Sequence, residues 1–291
     1  MSRLFVYLQY LLPQHMLSRL IGCLARASTG RTLLMKMFIK RYGVDMSEAA
    51  VSTLAEFENF NAFFTRELRD GCRPLSTEAG AVLCPADGSI SQLGEIKDDR
   101  IFQAKGHSFT VAELLGGDTS LAEAFNSGSF ATVYLSPRDY HRVHMPIAGK
   151  LRSMIYVPGK LFSVNQVTAA NVPRLFARNE RVVCLFDTAC GQMAVVLVGA
   201  MIVAGIETVW SGQVCPGSAQ KQIFRKDYND LSPPLELAAG TEMGRFKLGS
   251  TAIVLFPHGA VTWGPDLTAN SPVKMGQLMA RESRPKTDSH T

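Results

Sequence analysis

Three residue types placed far apart in the chain could together make a hydroxyl reactive. Asp87 lies in Pro-Ala-Asp-Gly-Ser, His141 and His144 in Tyr-His-Arg-Val-His-Met-Pro, and Ser250 in Phe-Lys-Leu-Gly-Ser-Thr. An imidazole that takes a serine's proton, beside a carboxylate that fixes its tautomer and balances the imidazolium, is the general recipe for an activated Ser. Each feature also has an ordinary reading. Asp-Gly is a common turn dipeptide. Two histidines three residues apart also suit a structural pair or part of a metal site. Gly249 before Ser250 also suits a bulge ahead of a buried strand. No third ligand of suitable spacing accompanies the histidines, which weakens the metal reading. The chain has no G-x-S-x-G elbow, which argues against an α/β-hydrolase.

The elements that must position these residues are mostly strands. Thr251 to Phe256 is a β-branched and aromatic run stopped by Pro257. From about Val82 onward, similar runs (SISQLGEI, FATVYLS, KLRSMIYVP, RVVCLFDT and QMAVVLVGAMIVAGIETVW) alternate with Gly, Pro, Asn and Asp. The expected fold class is α+β, mainly β. It has an antiparallel sandwich or barrel-sandwich-like body, short helical insertions at Val111–Leu115 and Leu121–Phe125, and N-terminal amphipathic helices. Asp45-Met-Ser-Glu48 reads as a helix N-cap, with the helix running to about Leu54. Phe57, Phe60, Phe63, Phe64 and Leu68 give a second apolar face. The expected division is residues 1–44 as basic helices, 45–281 as the body and 282–291 as a polar, disordered tail.

Charge is distributed unevenly. The formal net charge is +5, and residues 1–44 carry seven basic side chains with no Asp or Glu, so the excess belongs to the N-terminus. Pro13 suits the first turn of a second helix. In that helix Leu17, Leu20, Ile21 and Leu24 share a face. In the next segment Leu34, Met37 and Phe38 share another, with Lys36, Lys40 and Arg41 around it. Basic amphipathic helices of this kind lie flat in an anionic membrane interface; packing against the body is the competing reading. Nucleic acid is disfavoured, because the segment is rich in Leu and Met and lacks dense Arg/Lys clusters. The longest uncharged apolar run, Ala194 to Ile206, is shorter than the ~18 residues that cross a bilayer, and no signal peptide is evident. The N-terminal composition also suits a mitochondrial-type presequence. Six cysteines without a C-x-x-C pair fit reduced thiols in a cytosolic compartment.

Several motifs in order decide between these readings. PADG (85–88), LSPRDYHRVHMP (135–146), YVPGKLFSVN (156–165), LFARNERV (175–182), FKLGST (246–251) and KMGQ (274–277), with FNAFFTREL (60–68), resemble the phosphatidylserine decarboxylase family over about residues 57–278. The resemblance implies self-cleavage between Gly249 and Ser250, giving a larger chain 1–249 and a smaller chain 250–291. Ser250 becomes a covalent pyruvoyl group, with no pyridoxal phosphate and no metal. The resemblance makes Asp87 and His144 the acid and base of self-cleavage and His141 the general acid of decarboxylation. Phe162, Ser163 and Asn165 are candidate pocket residues that equally suit a turn; Asn179 and Arg181 could orient the site or hold a hairpin. His15, His107 and His258 are read as having no catalytic role. Expected partners are an anionic phospholipid membrane, phosphatidylserine and a second processed protomer, on the cytoplasmic face of the inner membrane. A pyruvoyl decarboxylase of soluble amino acids, a membrane adaptor that never cleaves and a secreted serine hydrolase fit the residues less well.

Overall fold

The computed structural model describes residues 3–27, 29–201, 205–215, 222–247 and 250–283, with the main chain alone at 3, 4 and 250. Three helices come first, α1 (Arg3–Leu11), α2 (Gln14–Arg26) and α3 (Arg31–Tyr42), followed by the one-turn α4 (Phe60–Phe64). The strands are β1 (Ala81–Leu83), β2 (Gly88–Glu95), β3 (Arg100–Ala104), β4 (His107–Thr110), β5 (Ser129–Leu135), β6 (Arg142–His144), β7 (Gly149–Val157), β8 (Arg181–Thr188), β9 (Gly191–Val198), β10 (Gly205–Thr208), β11 (Gly212–Cys215), β12 (Phe224–Asp227), β13 (Glu236–Leu237), β14 (Glu242–Lys247), β15 (Ser250–Phe256), β16 (Val261–Trp263), β17 (Pro272–Val273) and β18 (Leu278–Glu282). Short helices α5 (Val111–Leu114), α6 (Thr119–Glu123), α7 (Gln166–Ala169) and α8 (Leu175–Arg178) fill connections.

A nine-stranded antiparallel sheet runs β12-β7-β8-β9-β15-β5-β2-β17, with β13 also on β7. β15 lies inside it, paired with β5 from Ser250↔Leu135 to Phe256↔Ser129 and with β9 on its other side. Its alternate residues serve two cores. Ala252, Val254 and Phe256 pack with Val143, Met243 and Phe246 of the smaller sheet, while Ile253 and Leu255 pack against the α5 and α8 side. Burial on both faces explains why this run reads as continuously apolar rather than alternating. The second sheet has four strands, β11-β10-β14-β6, and a third pairs β1-β18-β16. This is the expected mainly β body with N-terminal helices; among the described residues no sheet closes into a barrel.

The helices leave much of their apolar surface exposed. In α2 the buried residues are Gln14, Ser18, Gly22 and Ala25, while Leu20 and Leu24 are 58% and 59% exposed. The polar and small side packs on the protein and Leu20 and Leu24 face outward, while Ile21, of the same stripe, packs partly buried against the cluster around Met35 and Phe60. Twelve of the eighteen exposed large apolar side chains among the described residues lie before residue 43. Among the described residues no helix is long and apolar enough to cross a membrane. α3 buries Met35 and packs Phe38 against Phe60, Phe63 and Phe64.

One expectation needs correction. The helix from Asp45 to Leu54 does not form. Asp45 Oδ1 accepts from the Ser47 N–H at 2.8 Å in a turn, Ala49 bridges to Leu68, and only a 3-10 turn, Leu54–Glu56, follows. Glu282, the first residue of the expected tail, pairs with Val261 at the end of β18, and residues 284–291 lie outside the described residues.

Candidate active site

The chain passes from the four-stranded sheet to the nine-stranded sheet within a few residues. Lys247 ends β14, which pairs with β6, and Ser250 opens β15, which pairs with β5. Residues 136–141, between β5 and β6, make the same crossing. The two crossings share one corner: one segment holds His141, and the other joins Lys247 to Ser250. Gly249 itself lies outside the described residues.

Asp87 enters this corner just before β2, which pairs with β5 at Ser89↔Tyr134. Gly88 makes that approach possible. Its φ is +153°, and a Cβ there would sit 2.1 Å from the Tyr134 carbonyl oxygen. The His144 N–H donates to the Pro85 carbonyl at 2.8 Å, joining the two motifs through their main chains. The Met275 N–H donates to Asp87 Oδ1 at 2.9 Å, which brings in the KMGQ segment.

The carboxylate is held by cations. Arg73 Nε lies 2.9 Å from Asp87 Oδ1, Arg73 Nη2 reaches Oδ2, and Lys274 Nζ lies 3.2 Å from Oδ2. Arg73 also binds Glu48, with Nη1 3.0 Å from Oε1. Burial opposes ionisation of Asp87, yet Arg73, the Met275 N–H and Lys274 together keep its carboxyl below the usual range.

His144 has different partners from those expected. Its Nδ1 is 2.8 Å from the Gly240 carbonyl oxygen and its Nε2 3.0 Å from the Tyr140 hydroxyl. A carbonyl only accepts, so Nδ1 carries the proton. Burial keeps the ring neutral by lowering its pKa, so the Nε2 lone pair accepts from Tyr140. Asp87 makes no hydrogen bond to His144 among the described contacts; its charge acts through space, favouring the imidazolium.

His141 is fully buried and stacked on Phe64, with ring centroids 4.0 Å apart. Nε2 donates to the Ser136 carbonyl at 3.0 Å, which leaves the lone pair on Nδ1, and Nδ1 has no partner. Burial and then the Arg66 cation push this imidazole down to about 3. The His141 carbonyl accepts from the Phe246 N–H at 3.0 Å, four residues ahead of Ser250. Arg66, 4% exposed, has its Nε and Nη1 without acceptors. Buried unpaired polar atoms are uncommon and costly. Their presence beside this corner suits a site that receives a polar group.

On the opposite flank of β15, Thr251 pairs with Val198, and residues 199–201 lead to the candidate pocket loop. Asn179 Nδ2 donates to the Phe162 and Gly199 carbonyls, each at 2.8 Å. Asn165 caps α7 and donates to Ser163 Oγ at 2.7 Å, and Phe162 is buried. Arg181 spends its guanidinium on four carbonyls, those of Glu113, Leu114, Ala177 and Asn179. Helices α1 and α2 clasp this loop: Gln14 Oε1 accepts from the Leu161 N–H at 2.8 Å, and Gln9 Oε1 from the Ser163 N–H at 2.7 Å. His258 binds the Ser127 carbonyl and His15 the Gly159 carbonyl, both away from the corner. Among the described residues no group of three or more His, Cys, Asp or Glu could hold a metal ion.

Comparison with known proteins gives the family. The phosphatidylserine decarboxylase family matches residues 60–281, and a family described as PSD matches residues 4–43. The chain belongs to the phosphatidylserine decarboxylase family. A phosphatidylserine decarboxylase proenzyme of Pseudomonas aeruginosa (strain PAO1) is 65% identical over 96% of this chain and 97% of its own. Proenzymes of the same name from Ectopseudomonas mendocina (strain ymp) and Pseudomonas putida (strain GB-1) are 63% and 62% identical, over 96% of this chain and 98% of theirs. The family match takes in Asp87, His141, His144 and Ser250, and also three residues the sequence reading passed over. Arg66, Tyr140 and Lys274 lie inside the quoted motifs, but nothing in the motifs marks them. Arg73 lies outside the motifs, and only the tertiary pairing with Asp87 reveals it.

Proposed function

We propose that this chain is a precursor that cuts itself between Gly249 and Ser250 and then converts phosphatidylserine to phosphatidylethanolamine at a membrane surface. The observation that carries the reading is the corner where β14 gives way to β15 beside the loop that holds His141. Ser250 Oγ adds to the Gly249 carbonyl and the acyl group moves from nitrogen to oxygen. Elimination then releases the 1–249 chain as a carboxylate, and hydrolysis with loss of ammonia leaves the pyruvoyl group on chain 250–291. His144, neutral with its lone pair on Nε2, is the base for this step. Asp87 stabilises the imidazolium electrostatically, with Arg73 and Lys274 keeping it ionised.

Once formed, the pyruvoyl carbonyl supplies the electron sink for decarboxylation. The free Nδ1 of His141 is suited to take a proton from the incoming ammonium and return it to the carbon that loses carbon dioxide. Phe64 fixes the ring plane. Phe162, Ser163 and Asn165 line the approach, and the aromatic contacts from Phe38 through Phe64 to His141 connect the site to α3. The outward apolar faces of α1 to α3, ringed by Arg and Lys, seat the protein peripherally on the anionic cytoplasmic face of the inner membrane. The processed protomer pairs with a second copy.

Intact mass tests the first half. Wild type gives two fragments meeting at Gly249/Ser250, with the smaller blocked at its N-terminus, while Ser250→Ala stays whole. Assaying phosphatidylserine in detergent micelles against free serine tests the second half. A wild-type chain that never cuts, or one that acts on free serine alone, overturns the proposal.

A further inference from the structure

A cleft of about 280 Å³ opens between the start of α2 and the loop after β7, lined by Tyr10, Leu12, Met16, Lys160, Phe162 and Arg178 among others. The Tyr10 and Phe162 rings lie 4.8 Å apart, and the Arg178 guanidinium sits over both, 5.6 Å and 5.0 Å from their centroids. Such stacking orients a guanidinium and leaves its edge free for an anion. The polar contacts of Arg178 are weak, 3.4 Å to the Tyr10 hydroxyl and 3.5 Å to the Pro173 carbonyl. Neither Arg178 nor Lys160 has a carboxylate partner among the described residues, whereas many of the protein's other arginines do. Among the described residues no Asp or Glu lines the cleft. Around its mouth Leu11 is 83% and Met16 68% exposed.

Two unpaired cations in an acid-free cleft, rimmed by outward-facing apolar side chains, match one ligand chemistry: a phosphodiester with acyl chains attached. We propose that Arg178 and Lys160 form a binding site for the phosphate of a non-reacting anionic phospholipid of the surrounding leaflet, its chains lying along Leu12 and Met16. Both cations belong to the body of the protein, while α1 and α2 supply the apolar wall of the site. Because Phe162 is shared with the loop that α1 and α2 clasp, the bound lipid fixes the helices and the loop as one surface against the bilayer. This inference rests on the membrane reading above and specifies where on the protein the contact is made.

The test uses the uncut Ser250→Ala chain, so neither self-cleavage nor turnover enters the result. Its binding to phosphatidylglycerol/phosphatidylcholine vesicles free of phosphatidylserine is measured by flotation. Arg178→Gln with Lys160→Gln is expected to weaken binding roughly 25-fold, about fivefold for each charge near an anionic surface. Arg178→Lys retains most of the binding. Lys150→Gln with Arg152→Gln, toward the opposite end of β7, removes the same net charge and changes binding little. An unweakened double variant, or an equal loss in the β7 control, overturns the site while leaving the membrane reading intact. Absence of vesicle binding by the parent overturns both.

Discussion

Arg73 holds both carboxylate oxygens of Asp87, and the same guanidinium holds Glu48. The Asp87 side chain is 1% exposed and that of Arg73 6%, so the pair is removed from water. Removing one partner of a buried pair leaves an uncompensated charge, which typically costs about 3–5 kcal/mol. Arg73→Ala should therefore lower the melting temperature sharply. The folded state depresses the Asp87 pKa, so its contribution is present above the unfolded value of about 3.9 and is lost as pH falls through the lower folded value. Melting temperature against pH should show the acid limb of Arg73→Ala moved upward; an unmoved limb would mean that Asp87 is held adequately without it.

Tyr140 donates to the lone pair of His144 and so favours its neutral form. In Tyr140→Phe that support is gone and the imidazole protonates more readily. The acid limb of the self-cleavage rate, followed by gel densitometry across pH, should shift to higher pH while the alkaline plateau is retained. A profile identical to wild type would remove His144 as the titrating base.

His141 stays neutral down to about 3, whereas an unfolded imidazole protonates near 6.5. Between those values the unfolded chain binds the extra proton, so stability should decline as pH falls from 6.5 toward 3. His141→Gln should flatten that decline in a denaturant titration. His141→Ala should still cut itself but lose at least about 10²-fold in phosphatidylserine turnover, the usual worth of a positioned acid or base. Loss of cutting instead would assign His141 to the earlier step.

Gly88 has no space for a side chain against Tyr134. Gly88→Ala should disrupt the pairing of β2 with β5, move Asp87 and cost more than ~1 kcal/mol, the usual effect of Ala where φ is positive. Thermal unfolding and the cleaved fraction should fall together. A well-folded variant that cuts normally would show the placement of Asp87 to be uncritical.

The strands were legible because residues such as Ile253 to Phe256 are buried on both faces, which gives the unmistakable apolar run. The N-terminal helices were legible as helices, but their orientation was not. Periodicity marks Leu20 and Leu24 as one face of α2 without saying whether that face meets protein or lipid, and here Gln14 and Ser18 take the inner side. Asp45 to Leu54 misled because Asp45 caps a turn as readily as a helix, and the bridge from Ala49 to Leu68 depends on residues distant in sequence. Asp87, His141 and His144 carried a motif. Their real neighbours, Arg73, Tyr140 and Gly240, could be known only once the chain had folded.

β15 is held on one side by β5 and on the other by β9, and β17 and β18 pair with β2 and β1. All three strands lie beyond the proposed cut. After cleavage the smaller chain keeps an interior strand of the largest sheet without any covalent tie to its neighbours. Unfolding then becomes dissociation as well. The melting temperature of the processed form should depend on protein concentration, and that of the uncut precursor should not. Refolding after denaturation should likewise require two separate polypeptides to meet, so the mature form inherits an architecture that only the intact precursor could readily assemble.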